Sequence, residues 1–114
     1  METTQAVRAL AALAQETRLS IFRLLVEAGP TGLAAGEIAA AVGVSPTNLS
    51  FHLKELAHAS LARSKQDGRY VFYSANFAHM NQLLGFLTEN CCERDGGCKP
   101  CSTEKTKSAK GVRS

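Results

Sequence analysis

Four cysteines, Cys91, Cys92, Cys98 and Cys101, fall within the twelve residues Asn90–Cys101, NCCERDGGCKPC, and the 114-residue chain has no others. Thiolates are soft ligands, so such a cluster selects soft ions over Mg²⁺, Ca²⁺ or Mn²⁺. Adjacent side chains at a helix end diverge by about 100°, which lets Cys91 and Cys92 face one small ion. Gly96-Gly97 lets the chain reverse and bring Cys98 back over them. Three thiolates in a pyramid, with a lone pair opposite, is the coordination As(III) or Sb(III) prefers. The same sulfurs suit two other chemistries. A structural zinc takes four thiolates, although its usual ribbon separates two Cys-x2-Cys knuckles by about 15–20 residues. Cys98-Lys99-Pro100-Cys101 has the spacing of a dithiol redox pair, without a βαβ pattern around it.

The rest of the chain must position these sulfurs. Its length suits one small domain. No run approaches about 18 apolar residues, and the first residues lack the basic-then-apolar pattern of an export signal. A soluble cytoplasmic protein with no membrane partner is expected, and in that reducing compartment clustered thiols serve metal or redox chemistry rather than a disulfide frame. The formal charge of +3 is unevenly placed: residues 1–101 carry nine Lys/Arg and nine Asp/Glu, so the excess lies in 102–114. There Lys105, Lys107, Lys110 and Arg113 face only Glu104, with Val112 the only large apolar residue. This segment reads as a disordered basic tail. Net charge therefore does not establish nucleic-acid binding, and the pattern of residues has to.

Thr3 and Thr4 precede a short helical stripe of Val7, Leu10, Leu13 and Ala14. Thr17 is placed to cap a second helix through Glu27, which Gly29-Pro30 stops. After a turn at Thr31-Gly32, Ala34–Val42 reads as a third helix inserting Ile38 and ending at Gly43. Ser45-Pro46 is a strong helix start. The fourth helix runs to about Ala59, with Leu49, Leu53 and Leu56 buried and Thr47, Asn48, Ser50, Phe51 and Lys54 outward. In Leu61–Ser74 the period changes, and Asp67-Gly68 marks a two-stranded hairpin. Asn76 caps a last helix whose Phe77, Met80, Leu83, Leu84 and Leu87 form a broad apolar face.

Two short helices joined by Val42-Gly43-Val44 and followed by a hairpin make a mainly α (α+β) winged helix-turn-helix. The fourth helix suits a major groove roughly 12 Å wide, while Arg63, Lys65 and Arg69 give the hairpin a surplus of cations for phosphates or the minor groove. The last helix is apolar around too much of its circumference for one small core. Pairing it with a second copy, aided by Val7 and Leu10, gives a helical dimer interface. The expected organisation is a DNA-binding and dimerisation domain over 1–90, a cysteine-rich inducer-binding segment over 91–101, and the tail over 102–114. No Gly-rich phosphate loop and no Ser/His/Asp order point to an enzyme or a catalytic cofactor.

The stretches ALAQETRLSIFRLL, GVSPTNLSFHLKEL and ARSKQDGRYVFYS, in that order, resemble the ArsR/SmtB family of metal- and metalloid-sensing winged-helix repressors, over most of residues 6–90. The resemblance implies a homodimer that leaves an inverted-repeat operator in double-stranded DNA when an inducer binds. Thr47, Asn48 and Ser50 match the family's polar DNA-facing positions. Phe51 stands where histidine is common and Pro46 where glutamine is common. Ser60 occupies the usual glycine at the exit of the recognition helix, which predicts left-handed backbone there. His52, common in the family, is expected to face the core with its hydrogen bonds satisfied, and His79 to lie on the helix surface or interface.

The family places inducer sites in different elements. A Cys-x-Cys at the start of the third helix is replaced here by Ala34-Ala35-Gly36. Paired carboxylates and histidines along the last helix are replaced by scattered Asn76, His79 and Glu89. The spacing Cys-Cys-x5-Cys resembles the C-terminal arsenite site of one subgroup, which implies Cys91, Cys92 and Cys98 as ligands for As(III) or Sb(III), with Cys101 a doubtful fourth. A thiol-redox-sensing repressor and a winged-helix protein-binding module with structural zinc are the alternatives.

Overall fold

The computed structural model describes residues 1–95 in the order α1 (Thr3–Leu13), α2 (Glu16–Ala28), β1 (Leu33–Ala34), α3 (Ala35–Val42), α4 (Pro46–His58), β2 (Ala62–Asp67), β3 (Tyr70–Ala75) and α5 (Phe77–Thr88), then a 3-10 turn at Glu93–Asp95. Two compact units divide it, Met1–Leu83 and the segment from Leu84 onward. The first is a winged helix-turn-helix. Cys98, Cys101 and the tail expected over 102–114 lie outside the described residues.

Helix starts follow local hydrogen bonding. Glu2 N–H donates to the Gln5 Oε1 at 2.9 Å, so α1 opens at Thr3 itself. The start of α2 departs from expectation: Gln15, not Thr17, is the cap, its Oε1 accepting the Arg18 N–H at 2.8 Å. Thr17 sits inside the first turn instead. Arg18 also donates from Nε to the Ala12 carbonyl at 2.6 Å, tying α1 to α2. That half-buried, charge-assisted bond satisfies one of the carbonyls a helix end leaves unpaired.

The core gathers Ile21, Phe22 and Leu25 of α2, Ile38 of α3, and Leu49, Leu53 and Leu56 of α4, closed by Leu61, Ala62, Ala75 and Leu83. No polar or charged residue among those described is buried. The leucines of α4 are the stripe the heptad-like spacing predicts. The broad apolar face expected on α5 is only partly covered: Leu83 is buried, whereas Leu84 and Leu87 are each 54% exposed.

The sheet has three antiparallel strands, ordered β1-β3-β2, rather than the two of the expected hairpin. Leu33 pairs with Tyr73 and Ala34 with Phe72. Two residues are too short a run to carry a period-2 signal, so this strand is set by its partner. Gly32 permits it, with φ +74 and its Cα so close to β3 that an added Cβ would fall on the Tyr73 carbonyl. The hairpin turn is also shifted by one residue. Asp67 pairs with Tyr70, leaving Gly68 (φ 65) and Arg69 as the loop. Glycine supplies the positive φ that a two-residue hairpin loop demands.

Two substitutions test this frame by urea unfolding. Gly32→Ala combines a positive φ with a backbone clash and should lower stability by more than about 2 kcal/mol. Arg18→Ala removes the tie to Ala12 and should cost about 1.5–3 kcal/mol, without moving α4.

Candidate nucleic-acid interface and cysteine turn

The outward face of α4 is fixed at its first turn. The Ser45 hydroxyl accepts the Asn48 N–H at 3.2 Å, and Pro46 occupies the first helical position, as expected. With Leu49, Leu53 and Leu56 inward, Thr47, Ser50, Phe51 and Lys54 occupy an opposite arc of about 100°, and all four are exposed. Asn48 is exposed as well, at the edge of that arc. Phe51 is 60% exposed and meets His52 edge-on, with ring centroids 5.9 Å apart and planes at 66°. His52 itself is half-buried, but its Nδ1 is enclosed and has no hydrogen-bond partner. The expectation of a fully satisfied histidine is thus not met at that nitrogen.

At the exit of α4, Ser60 has φ 65, the left-handed residue expected there. Asn76 then joins three elements. Its N–H donates to the Leu61 carbonyl at 2.9 Å, its Nδ2 to the Ser60 carbonyl at 2.9 Å, and its Oδ1 accepts the His79 N–H at 3.2 Å. The expected cap of α5 is therefore present, and the same side chain also closes the exit of α4. His79 is half-buried.

In the wing, Arg63 and Lys65 are two residues apart on β2 and share one face, opposite the buried Ala62. Arg69 occupies the loop at the tip. All three are exposed, as is Lys54, and none is paired with a carboxylate among the described residues. Tyr70, 64% exposed beside Arg69, was not among the expected contacts. The run Tyr70-Val71-Phe72-Tyr73 carried a strand signal but nothing to show which aromatic would be left in solvent.

The second unit holds the end of α5 and the first two thiols. The Thr88 hydroxyl donates to the Leu84 carbonyl at 2.9 Å. Beyond it the chain makes successive turns, with the Cys91 N–H on the Thr88 carbonyl at 3.0 Å and the Glu93 N–H on that of Asn90 at 3.1 Å. Asn90 (φ 59) and Cys92 (φ 60) are left-handed. The cysteines therefore lie in turns and not on a helix end, and left-handed backbone brings their Sγ atoms to 3.5 Å. That is too long for a disulfide. The hydrogen bond with Cys91 and partial desolvation raise the Cys92 thiol above its ordinary pKa, and the nearby Cys91 charge adds to the effect. Among the described residues no three His, Cys, Asp or Glu side chains converge on a metal position. The expected third ligand, Cys98, lies beyond them.

The Met1–Leu83 unit and its exposed recognition helix define a winged helix-turn-helix regulator. Residues 13–65 match a helix-turn-helix domain family. Over 102 residues the chain is 31% identical to the HTH-type transcriptional regulator CmtR of Mycobacterium tuberculosis, covering 89% of this chain and 82% of that protein. It is 32% identical over 80 residues to the nodulation protein NolR of Rhizobium meliloti, covering 70% of this chain but only 63% of the length of NolR. An ArsR-like transcriptional regulator from Rhodococcus sp. RHA1 superposes with TM-score 0.70 at 29% identity, over 82% of this chain and 85% of that one. A homodimeric winged helix-turn-helix domain from Mycobacterium bovis, a possible ArsR-family regulator, gives TM-score 0.61 at 28% identity, over 80% and 84%. The chain belongs to the ArsR family of winged helix-turn-helix transcriptional regulators, and is a DNA-binding regulator rather than an enzyme. Among the described residues no helix is long and apolar enough to cross a membrane.

Two measurements bear on these surfaces. Neutralising Lys54, Lys65 or Arg69 singly to Ala should weaken DNA binding on any sequence and reduce the slope of log affinity against log salt by about 1 each. Replacing Cys91 by Ala removes the first and third causes of the raised Cys92 pKa. The pH profile of Cys92 alkylation, followed by peptide mass mapping, should then move to lower pH. An unchanged profile would show that Cys91 does not hold the Cys92 proton.

Proposed function

We propose that this regulator is an As(III)- or Sb(III)-responsive repressor that grips an inverted-repeat operator as a homodimer and lets go when the metalloid binds Cys91, Cys92 and Cys98 of one subunit. The observation that carries the reading is the 3.5 Å separation of the Cys91 and Cys92 sulfurs. With metal–sulfur bonds of about 2.3 Å, as for zinc, sulfurs so spaced subtend roughly 100° at a shared ion, close to a pyramidal angle. The thiols are accessible, Cys91 being exposed and Cys92 half-buried. Binding displaces their protons, so the ion opposes the raised Cys92 pKa directly.

Dimerisation is supported by apolar surface left in solvent: Val7 (58%) and Leu10 (42%) on α1 and, separately, Leu84 and Leu87 on α5. The homodimeric M. bovis domain agrees with it. In this reading the duplex is held by Thr47, Asn48, Ser50, Phe51 and Lys54 of α4, with Arg63, Lys65 and Arg69 of the wing. Drawing three sulfurs around one ion reorders the turns after Thr88, and the altered dimer binds DNA less well. A tenfold loss of operator affinity requires the metalloid to prefer that form by about 1.4 kcal/mol.

Cys91→Ser, Cys92→Ser and Cys98→Ser should each bind operator normally in a gel shift and fail to release it with arsenite, while Cys101→Ser still responds. Thiol counting should find three cysteines per subunit shielded by arsenite. Normal release by all single variants would overturn the ligand assignment. Four shielded thiols with co-purifying zinc would favour a structural site, and release by peroxide reversed by a reductant would favour redox sensing.

A further inference from the structure

Phe51 is the only large apolar side chain of α3 and α4 that stands exposed, at 60%. It sits on the outward arc midway along α4, one turn after Thr47 and one turn before Lys54, on the side nearer Asn48. Every neighbour on that arc can donate or accept a hydrogen bond; Phe51 can do neither. If the arc enters a major groove, a ring set against N7, O6 or an exocyclic amine would strip water from a polar edge and return nothing. The apolar group the major groove offers is the C5-methyl of thymine. The edge-on contact with His52 restrains the ring, so part of its ordering precedes binding.

We infer that Phe51 reads a thymine C5-methyl in each operator half-site, making it a specificity-determining residue that acts by apolar contact. The inference rests on the operator-binding reading above. It accounts for an aromatic at a position that would otherwise be polar, and it makes no use of the cysteines.

The test uses duplexes that the full-length reduced protein itself enriches from a random-sequence pool. Each thymine is then replaced in turn by deoxyuridine, which removes the methyl and leaves O4 and base pairing intact. One position per half-site should weaken binding by the wild-type protein, about fourfold for each methyl removed and about sixteenfold for both. Phe51→Ala, a change at an exposed site, should bind the thymine duplex with the same loss and no longer distinguish uracil there. Its salt slope should equal that of the wild type, because no phosphate contact is removed. Equal binding of every uracil duplex by the wild type, or undiminished discrimination by Phe51→Ala, would overturn the inference while leaving the repressor reading intact. If no duplex is enriched at all, the operator-binding reading fails and this inference falls with it.

Discussion

The molecule depends on the docking of one leucine stripe. Leu49, Leu53 and Leu56 are all but fully buried against α2 and α3, and they set the rotation of α4 about its own axis. Burying side chains of this kind contributes on the order of 2 kcal/mol each, more than any single polar contact on the helix surface. A slip of one residue would turn the helix by about 100°, burying Ser50 and exposing a leucine. The polar face is therefore held outward by the core, and the chemistry of that face is free to vary.

The cysteine turn is built on the opposite plan. Among the described residues backbone hydrogen bonds close it, and two of its residues are non-glycine in left-handed conformation. Such backbone costs about 1–2 kcal/mol for an ordinary residue and less for asparagine. A segment with exposed hydrogen bonds and little buried surface opens and re-forms readily. The two thiols thus stand on backbone held by few bonds, whereas α4 is held by its buried leucines.

How much of this could be read from residue order varies with the range of the forces involved. The Ser45-Pro46 start of α4, its leucine stripe and the Asn76 cap follow from residue types and spacing within a few residues, and they were legible; the left-handed Ser60 was legible only through the family resemblance. The strand Leu33–Ala34 was not, because it exists only through pairing with Phe72 and Tyr73. The cap of α2 moved to Gln15, two residues before Thr17, where its Oε1 takes the orphan Arg18 N–H. The hairpin loop moved from Asp67-Gly68 to Gly68-Arg69, which carries Arg69 to the tip of the wing. For the thiols, adjacency was plain in the sequence. Their 3.5 Å approach depends on the left-handed Cys92, which no local rule for cysteine foretells.

Asn76 has a mechanical consequence. Its backbone is bonded to Leu61 at the root of the sheet, its amide to the end of α4, and its carbonyl oxygen to the first turn of α5. These three attachments converge on one residue, so the start of α5 cannot twist independently of the end of α4. Within the Met1–Leu83 unit, a rotation of the first turn of α5 is passed to the exit of α4 through one side chain, with no further moving part.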